Sequence, residues 1–213
     1  DVAVCGAGLA GLTLALQLRQ RLPHLRVAVL DRLRRPLPPG AFKVGEAVTE
    51  AGAHYLDRVV GKEYFAAKHF FKLGFRFFLG GADRPIEERP EFGLRQFPLV
   101  QSYNLDRGTL ENDLRAMAET AGIELMEGAH VADIELKASG PHQVCYRDAN
   151  SQQRWLQARW VVDASGRRRL IQRKLGLTRE LKDKCSAAWF RVPGRLDISD
   201  FVPPQRTAWH ERV

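Results

Sequence analysis

The feature that most constrains the fold is a glycine loop, Gly6-Ala7-Gly8-Leu9-Ala10-Gly11, which directly follows the apolar run of residues 2–5. Each glycine of the loop has its own mechanical reason. Gly6 permits a tight turn out of a strand, and Gly8 lets the backbone approach a ligand closely. Gly11 lets a helix pack against a sheet without an intervening side chain. The loop therefore predicts a strand that turns sharply into a helix.

A second apolar run, residues 27–30, ends at Asp31, which lies 20 residues after the last glycine of the loop. The two runs and the loop predict a strand–helix–strand unit that binds the pyrophosphate of a dinucleotide at the helix N-terminus. Asp31 is expected to accept hydrogen bonds from the adenosine ribose. A glycine cluster in another kind of α/β unit is the alternative, and the flanking strand, helix and acid favour the dinucleotide.

The composition narrows the class of partner. The chain of 213 residues has 33 Lys and Arg against 25 Asp and Glu, a net charge of +8. Its arginines cluster in residues 32–35 and 167–174, but no aromatic-interleaved basic motif accompanies them. A nucleic-acid partner is therefore not expected, and the clusters indicate a solvated surface or an attraction for an anionic cofactor and substrate.

Other sequence features concern the membrane, metals and the compartment. No stretch approaches the ~18 uninterrupted apolar residues of a membrane span, and no signal-peptide pattern is visible. The three cysteines and six histidines show no metal-ligand spacing, so we expect no metal site. The odd number of cysteines favours a reducing cytoplasm.

Hydrophobic periodicity predicts the order of the remaining elements. The expected helices are residues 46–60, 108–121 and a segment that ends at about 175. The expected strands are residues 71–79, about 96–100, 123–126, 130–136, 143–147 and 154–163. In the strand of residues 71–79, Lys72 and Arg76 share the polar face. The order indicates a dinucleotide-binding sheet interrupted by a second, antiparallel sheet.

Three segments resemble the FAD contacts of flavoprotein monooxygenases related to p-hydroxybenzoate hydroxylase. They are the glycine loop with Asp31-Arg32, the segment Leu105-Asp106-Arg107 before a helix, and Asp163-Ala164-Ser165-Gly166. The resemblance implies a Rossmann-like FAD-binding domain with an inserted antiparallel-sheet substrate region, in a chain truncated at its C-terminus. Residues 1–70 and 101–180 would form the FAD-binding domain. Residues 71–100 and 181–213 would form part of the substrate-binding region.

Within that superfamily the sequence is more similar to flavin-dependent halogenases of the tryptophan- and phenol-halogenase group. Lys43-Val44-Gly45-Glu46 resembles their Gly-Glu segment beside the flavin. The segment of residues 69–77 resembles the strand that carries their catalytic lysine, and Lys72 falls on that position. Asp163-Ala164-Ser165-Gly166-Arg167 resembles the halogenase form rather than the hydroxylase Gly-Ala-Asp-Gly form. Their Trp-x-Trp-x-Ile-Pro segment is absent here, and in the family it lies beyond the last residue of this sequence.

The resemblance implies an oxidoreductase that uses reduced FAD, O2 and a halide to halogenate an electron-rich aromatic substrate, with FAD reduced by a separate flavin reductase. Lys72 would hold the hypohalous acid beside the aromatic ring. An NAD(P)H-dependent FAD aromatic hydroxylase or related flavin reductase is the first alternative. A non-catalytic nucleotide-binding protein is the second.

The loop and the resemblance together assign cofactor contacts to a set of residues. These are Gly6, Gly8, Gly11, Asp31, Arg32, Gly45, Glu46, Arg107, Val131, Asp163 and Gly166. Several of them have an ordinary structural alternative. Lys72 on a polar strand face is usually solvated, Glu46 fits the first turn of a helix, and Val131 fits a hydrophobic core. Asp163 ends an apolar strand, where a carboxylate needs a partner, and FAD is the partner expected.

Overall fold

The computed structural model describes residues 1–38, 43, 46–81, 83–93, 96, 98–180, 182 and 186–211. The chain forms two compact units. The first comprises Asp1–Lys72 and Gln101–Arg179, and the second comprises Leu73–Val100 and Glu180–Val213. We describe each unit by itself.

The strands and helices are labelled in chain order. The strands are β1 (Val2–Cys5), β2 (Val27–Asp31), β3 (Phe70–Lys72), β4 (Arg76–Phe78), β5 (Glu91–Gly93), β6 (Ser102–Asn104), β7 (Glu124–Glu127), β8 (His130–Glu135), β9 (His142–Arg147), β10 (Gln153–Ala158) and β11 (Trp160–Asp163). The α-helices are α1 (Leu9–Arg21), α2 (Glu50–Val59), α3 (Lys62–Lys68), α4 (Arg107–Thr120), α5 (Leu170–Lys174) and α6 (Thr207–His210). Short 3-10 turns lie at Ile86–Glu88, Gly166–Arg168 and Ile198–Phe201.

A parallel sheet with the strand order β11-β1-β2-β7 forms the centre of the first unit. Strand β1 is buried along its whole length, as expected for a central strand covered on both faces. Cys5, at the end of β1, lies between Leu30 of β2 and Asp163 of β11 in the strand register. The glycine loop, Asp31 and the turn after Asp163 therefore emerge at one edge of the sheet, and the predicted α/β dinucleotide fold is confirmed.

The two faces of the parallel sheet are covered by different layers. On one face, Val2 and Val4 pack with Leu12 of α1 and Leu110 of α4, within a cluster that also includes residues of α2. On the other face, Ala3 and its neighbours pack against the antiparallel sheet β8-β9-β10. The first unit is thus a three-layer arrangement of helices, parallel sheet and antiparallel sheet.

The crossover from β1 into α1 is close-packed through glycine. Gly6 has a φ of +123°, which favours glycine, and its amide donates to the Leu30 carbonyl at 2.8 Å. A Cβ atom built on Gly11 would overlap the carbonyl oxygen of Gly6 and lie 3.2 Å from the Cβ of Ala164. This packing confirms the tight turn expected at Gly6 and the close contact between helix and sheet expected at Gly11.

Three predicted boundaries were wrong. The helix expected from residue 46 begins at Glu50, because Thr49 is the N-cap and its hydroxyl accepts from the Gly52 amide. The described residues of the expected strand 96–100 form no β-strand. The strand of this region lies instead at Ser102–Asn104. The expected strand 154–163 is two strands, β10 and β11, which join different sheets on either side of Arg159.

The single strand predicted over residues 71–79 was also wrong. Strand β3 pairs with β6 in the first unit, whereas β4 pairs with β5 in the second. Gly74, with a φ of +134°, lies between them in a conformation that interrupts an extended strand. The predicted apolar face is mostly exposed, at Phe71, Leu73, Phe75, Phe77 and Leu79.

The second unit is small and is held together by charged and aromatic side chains. Arg76 on β4 forms an ion pair with Glu91 on β5 at 2.6 Å. The same guanidinium lies 5.0 Å from the ring centre of the buried Trp209 on α6.

Throughout the described part of the chain, no helix combines the length and hydrophobicity that a membrane crossing requires.

We predict that Gly11→Ala lowers the free energy of unfolding by about 1–3 kcal/mol, because the new methyl group overlaps the Gly6 carbonyl. Gly8→Ala is the matched control, since a Cβ at Gly8 meets no atom of the part of the chain that the structure describes within 4 Å, and its φ is −84°. Denaturant unfolding of both variants and the wild type measures the difference. Equal stability of the two variants would contradict the close packing.

Candidate functional site

The N-terminus of α1 is open to a ligand. Gly8 is the N-cap and provides no side-chain hydrogen bond, and the first turn of α1 has no acidic residue. Neither the N-cap nor the first turn therefore supplies a side-chain acceptor to the first backbone N–H groups of the helix. A Cβ atom built on Gly8 would meet no atom of the described residues within 4 Å, so among them there is space for a ligand against the backbone. This cradle fits an anionic group such as a pyrophosphate.

Asp31 is engaged with the glycine loop. Its Oδ2 accepts from the Ala7 amide at 2.6 Å, and its Oδ1 accepts from the Leu33 amide at 2.7 Å. A carboxylate has about four acceptor positions, so these two bonds leave capacity for a ribose hydroxyl. Asp31 therefore has a structural function, closing the loop, in addition to the ribose contact predicted for it. Arg32, the next residue, is exposed at the end of β2.

A fully buried arginine lies beneath the loop. Arg115 on α4 is 0% exposed and donates from Nη2 to the Ala7 carbonyl at 3.2 Å. Its Nη1 donates to Glu127 at 2.8 Å, and its guanidinium lies 3.6 Å from Asp31. Burial raises the pKa of Glu127, but hydrogen bonds from Arg115 and Arg35 outweigh this and hold that pKa below its usual range.

A second buried charge lies one helical turn before Arg115. Glu111 is 1% exposed and accepts from Arg107 at 2.6 Å, and it also pairs with Lys43. Glu111 lies four residues before Arg115, but its ion partners are Arg107 and Lys43, whereas those of Arg115 are Asp31 and Glu127. Arg107, Glu111 and Arg115 instead form one charged face of α4, which runs from the Lys43 segment to the glycine loop.

Lys72 is buried, which contradicts the solvated strand face considered for it. Its side chain is 5% exposed, and Nζ donates to the Val48 carbonyl at 2.5 Å. The alternation over residues 71–79 predicted a solvated face for Lys72. That prediction was wrong because β3 is short and pairs with β6, where Lys72 lies opposite Ser102. The Ser102 hydroxyl donates to the Lys72 carbonyl at 3.3 Å.

The segment that precedes α2 is fixed beside Lys72. The Leu105 amide donates to the Glu46 carbonyl at 2.6 Å, and the Val48 amide donates to the Tyr103 carbonyl at 3.0 Å. Glu46 therefore lies outside the first turn of a helix, where one interpretation had placed it. Gly45 of the same segment lies outside the described residues.

Asp163 has protein partners for both of its oxygens. Oδ1 accepts from the Ser165 hydroxyl at 2.5 Å and from the Ser165 amide at 3.1 Å, and Oδ2 accepts from the Ile171 amide at 2.8 Å. Burial raises the pKa of Asp163, but these hydrogen bonds outweigh it and leave the pKa below the usual range. The partner expected from FAD is thus supplied by the turn itself. Gly166, in that turn, is exposed with a φ of +62°.

Val131 occupies the core position that was its structural alternative. Val131 is 3% exposed and packs in the cluster between the parallel sheet and the antiparallel sheet β8-β9-β10. Its carbonyl accepts from Arg168 at 2.9 Å. A contact between Val131 and adenine stays a prediction.

The structure brings together two groups of predicted residues in the first unit. The glycine loop and Asp31 form one group, and the Glu46 segment, Lys72 and the start of α4 at Arg107 form the other. The sequence reasoning missed the buried Glu111 and Arg115 that lie between them. Their signal was available, because both residues adjoin the apolar stripe of α4 directly after Leu110 and Leu114.

Comparisons with known proteins identify the family and the fold of the chain. A family model of the FAD-binding domain matches residues 1–212. The chain is 27% identical over 154 residues to the 1H-pyrrole-2-carbonyl-[peptidyl-carrier protein] chlorinase of Pseudomonas fluorescens, an alignment that covers 72% of this chain and 30% of the relative. The chain therefore spans about a third of the length of that curated relative.

Solved structures with the same fold include a flavoprotein/dehydrogenase from Cytophaga hutchinsonii, at 24% identity and a TM-score of 0.69, covering 86% of this chain and 44% of that one. The flavin-dependent halogenase CmlS has 24% identity and a TM-score of 0.67, with 82% and 30% covered. The myxobacterial chondrochloren halogenase CndH has 26% identity and a TM-score of 0.63, with 79% and 37% covered. The similarity confirms the fold expected from the sequence.

We predict that Gly8→Val weakens FAD binding by about 100-fold or more, equivalent to roughly 3 kcal/mol, because the side chain fills the space beside the α1 N-terminus. The φ of −84° and ψ of −175° at this position suit valine, so the fold should be retained. Titration of FAD followed by flavin fluorescence measures the affinity. Unchanged affinity would show that the pyrophosphate lies elsewhere.

We predict that Asp163→Asn destabilises the protein at pH 7 by about 1–2 kcal/mol, because a charged acceptor of three hydrogen bonds is lost. The folded pKa of Asp163 is depressed, so its stabilisation is present above the unfolded value of about 3.9 and is lost as pH falls through the folded pKa. Denaturant unfolding from pH 7 to pH 3 should show the gap closing. A gap that is independent of pH would contradict this account.

Proposed function

We propose, from the premise that this chain belongs to the FAD-binding domain family, that it forms the cofactor-binding part of a flavin-dependent halogenase. FAD is the cofactor, as the resemblance to flavoprotein monooxygenases implied. The resemblance to flavin-dependent halogenases is supported by the similarity to the pyrrole chlorinase and to halogenase structures. The finer proposal is that the protein halogenates an electron-rich aromatic substrate with reduced FAD, O2 and a halide.

The observation that carries the proposal is the burial of Lys72. Lysine side chains are almost never fully buried in proteins without a partner or a function. Here the ammonium is drawn inside the first unit and donates to the Val48 carbonyl, two residues after Glu46. The resemblance places the Glu46 segment beside the flavin and gives Lys72 the task of holding the hypohalous acid. Their contact supports a common role.

The residues have distinct proposed functions in catalysis. The α1 N-terminus and Gly8 bind the pyrophosphate, and Asp31 binds the ribose. When bound, reduced FAD supplies the activation of O2 that converts a halide into hypohalous acid. Lys72 then holds that acid by a hydrogen bond from its ammonium, beside the aromatic ring. The ring carbon gains the halogen and loses a proton, and water is released.

Several partners belong to the proposal. They are a halide ion, a small aromatic substrate and a separate flavin reductase that supplies reduced FAD. The Pseudomonas relative is named as a chlorinase of a pyrrole-2-carbonyl group on a peptidyl-carrier protein, and pyrrole is an electron-rich ring of the proposed kind. We assign cofactor binding to residues 1–70 and 101–180, and part of the substrate region to residues 71–100 and 181–213.

We predict that Lys72→Met abolishes the halogenated product while FAD affinity stays within about twofold of the wild type, since methionine fills the buried site without a donor. Lys68→Met, on the exposed end of α3, is the matched control and should keep activity. Product is measured by mass spectrometry with reduced FAD, O2 and bromide. Normal halogenation by Lys72→Met would exclude the lysine from the reaction.

The same assay distinguishes the proposed halogenase from the first alternative, an NAD(P)H-dependent FAD aromatic hydroxylase. If NAD(P)H bleaches bound FAD without an added reductase, and the product gains oxygen whether or not halide is present, the protein is a hydroxylase. If the purified protein binds FAD but neither product forms with a panel of phenols, indoles and pyrroles, the catalytic proposal is wrong for these substrates.

A further inference from the structure

The two backbone polar groups of Ala7 are both bonded to side chains of the first unit. The Ala7 amide donates to Asp31 at 2.6 Å, and the Ala7 carbonyl accepts from Arg115 at 3.2 Å. In a trans peptide the carbonyl of one residue and the N–H of the next point in opposite directions. Because the Ala7 carbonyl points inward to Arg115, the Gly8 N–H points outward. A Cβ atom built on Gly8 would also meet none of the described atoms within 4 Å, so the backbone at Gly8 has open space beside it.

We infer that Arg115 is a positioning residue that orients the Gly8 N–H toward the pyrophosphate of FAD. This inference rests on the proposed location of the pyrophosphate at the glycine loop. Arg115 touches no part of the cofactor in this account and acts through the Ala7 peptide. It extends the FAD site to a residue of α4, 107 positions after Gly8 in the chain.

An arginine at this position is otherwise unfavourable. Its guanidinium is 0% exposed, and burying a charge requires ion pairs, which Asp31 and Glu127 provide at 3.6 and 2.8 Å. Even so, Nε finds no hydrogen-bond partner among the described residues. Apolar side chains of similar volume often replace buried ion pairs without loss of stability. Stability alone therefore does not explain why a charged residue occupies this position, whereas the hydrogen bond to the Ala7 carbonyl does.

The planar fork of the guanidinium explains why arginine rather than lysine performs this task. One side of the fork reaches Glu127 and the Leu33 carbonyl, while the other reaches the Ala7 carbonyl. A lysine ammonium is a single point of charge and cannot span these acceptors in a fixed geometry. Arg115→Lys therefore keeps the buried charge but releases the Ala7 peptide.

The test compares ligands with and without phosphate. Dissociation constants of FAD, ADP and adenosine are measured for the wild type, Arg115→Lys and the double variant Arg115→Met/Glu127→Gln, which removes one charge of each sign. We expect FAD and ADP to bind about 10-fold more weakly to both variants, the loss of roughly one charge-assisted hydrogen bond. Adenosine should stay within about twofold, because it lacks the pyrophosphate. Thermal melting verifies that the variants are folded.

Parallel weakening of adenosine and ADP would overturn the inference, since it would show a general scaffold function. Unchanged FAD and ADP binding in a folded Arg115→Lys would overturn it as well. Gly8→Val separates this failure from that of the underlying placement. If Gly8→Val retains FAD affinity, the pyrophosphate lies elsewhere; if only Gly8→Val loses it, the placement stands and Arg115 has no positioning role. All of these readouts are binding constants and are independent of halogenation.

Discussion

The close approach of the glycine loop, α1 and the turn after β11 is the constraint on which the rest of the structure depends. A side chain at Gly11 would overlap the Gly6 carbonyl, and a Cβ at Gly6 would lie 2.7 Å from the carbonyl carbon of Ala164. These contacts bring the N-terminus of α1 down onto the edge of the sheet. Only then do the first amides of the helix, Asp31 and the Asp163 turn lie at one edge, where an anionic ligand can meet all of them.

Buried charged side chains determine the local geometry of the candidate site. Arg115 and Glu111 lie on one face of α4, and both are almost completely excluded from water. Each is balanced by more than one opposite charge, Arg115 by Asp31 and Glu127, and Glu111 by Arg107 and Lys43. Such networks are costly to bury and rigid once their hydrogen bonds are made. Rigidity of this kind is what a site needs when it must present backbone amides to a cofactor without a further conformational cost.

The sequence predicted well what local patterns determine. The glycine loop, the acid at the end of β2 and the helical periodicity of α4 are each defined within a few residues. The bounds of β1, β2 and α4 were therefore predicted closely, and α1 was predicted to follow the loop. The pairing of strands is not local. Alternation alone could not show that β3 and β4 join different sheets, and it therefore gave Lys72 a solvated face. In the same way, the i,i+4 spacing of Glu111 and Arg115 does not show that Arg115 pairs with Asp31 and Glu127, or that Glu111 pairs with Arg107 and Lys43.

The most direct test of the account is a crystal structure of the protein with FAD bound. We expect the pyrophosphate oxygens within hydrogen-bond distance of the Gly8 amide at the N-terminus of α1, and the ribose hydroxyls on the Asp31 carboxylate. The Ala7 carbonyl should still accept from Arg115. A structure in which the pyrophosphate lies away from the glycine loop, or in which side chains fill the space beside Gly8, would contradict the central claim.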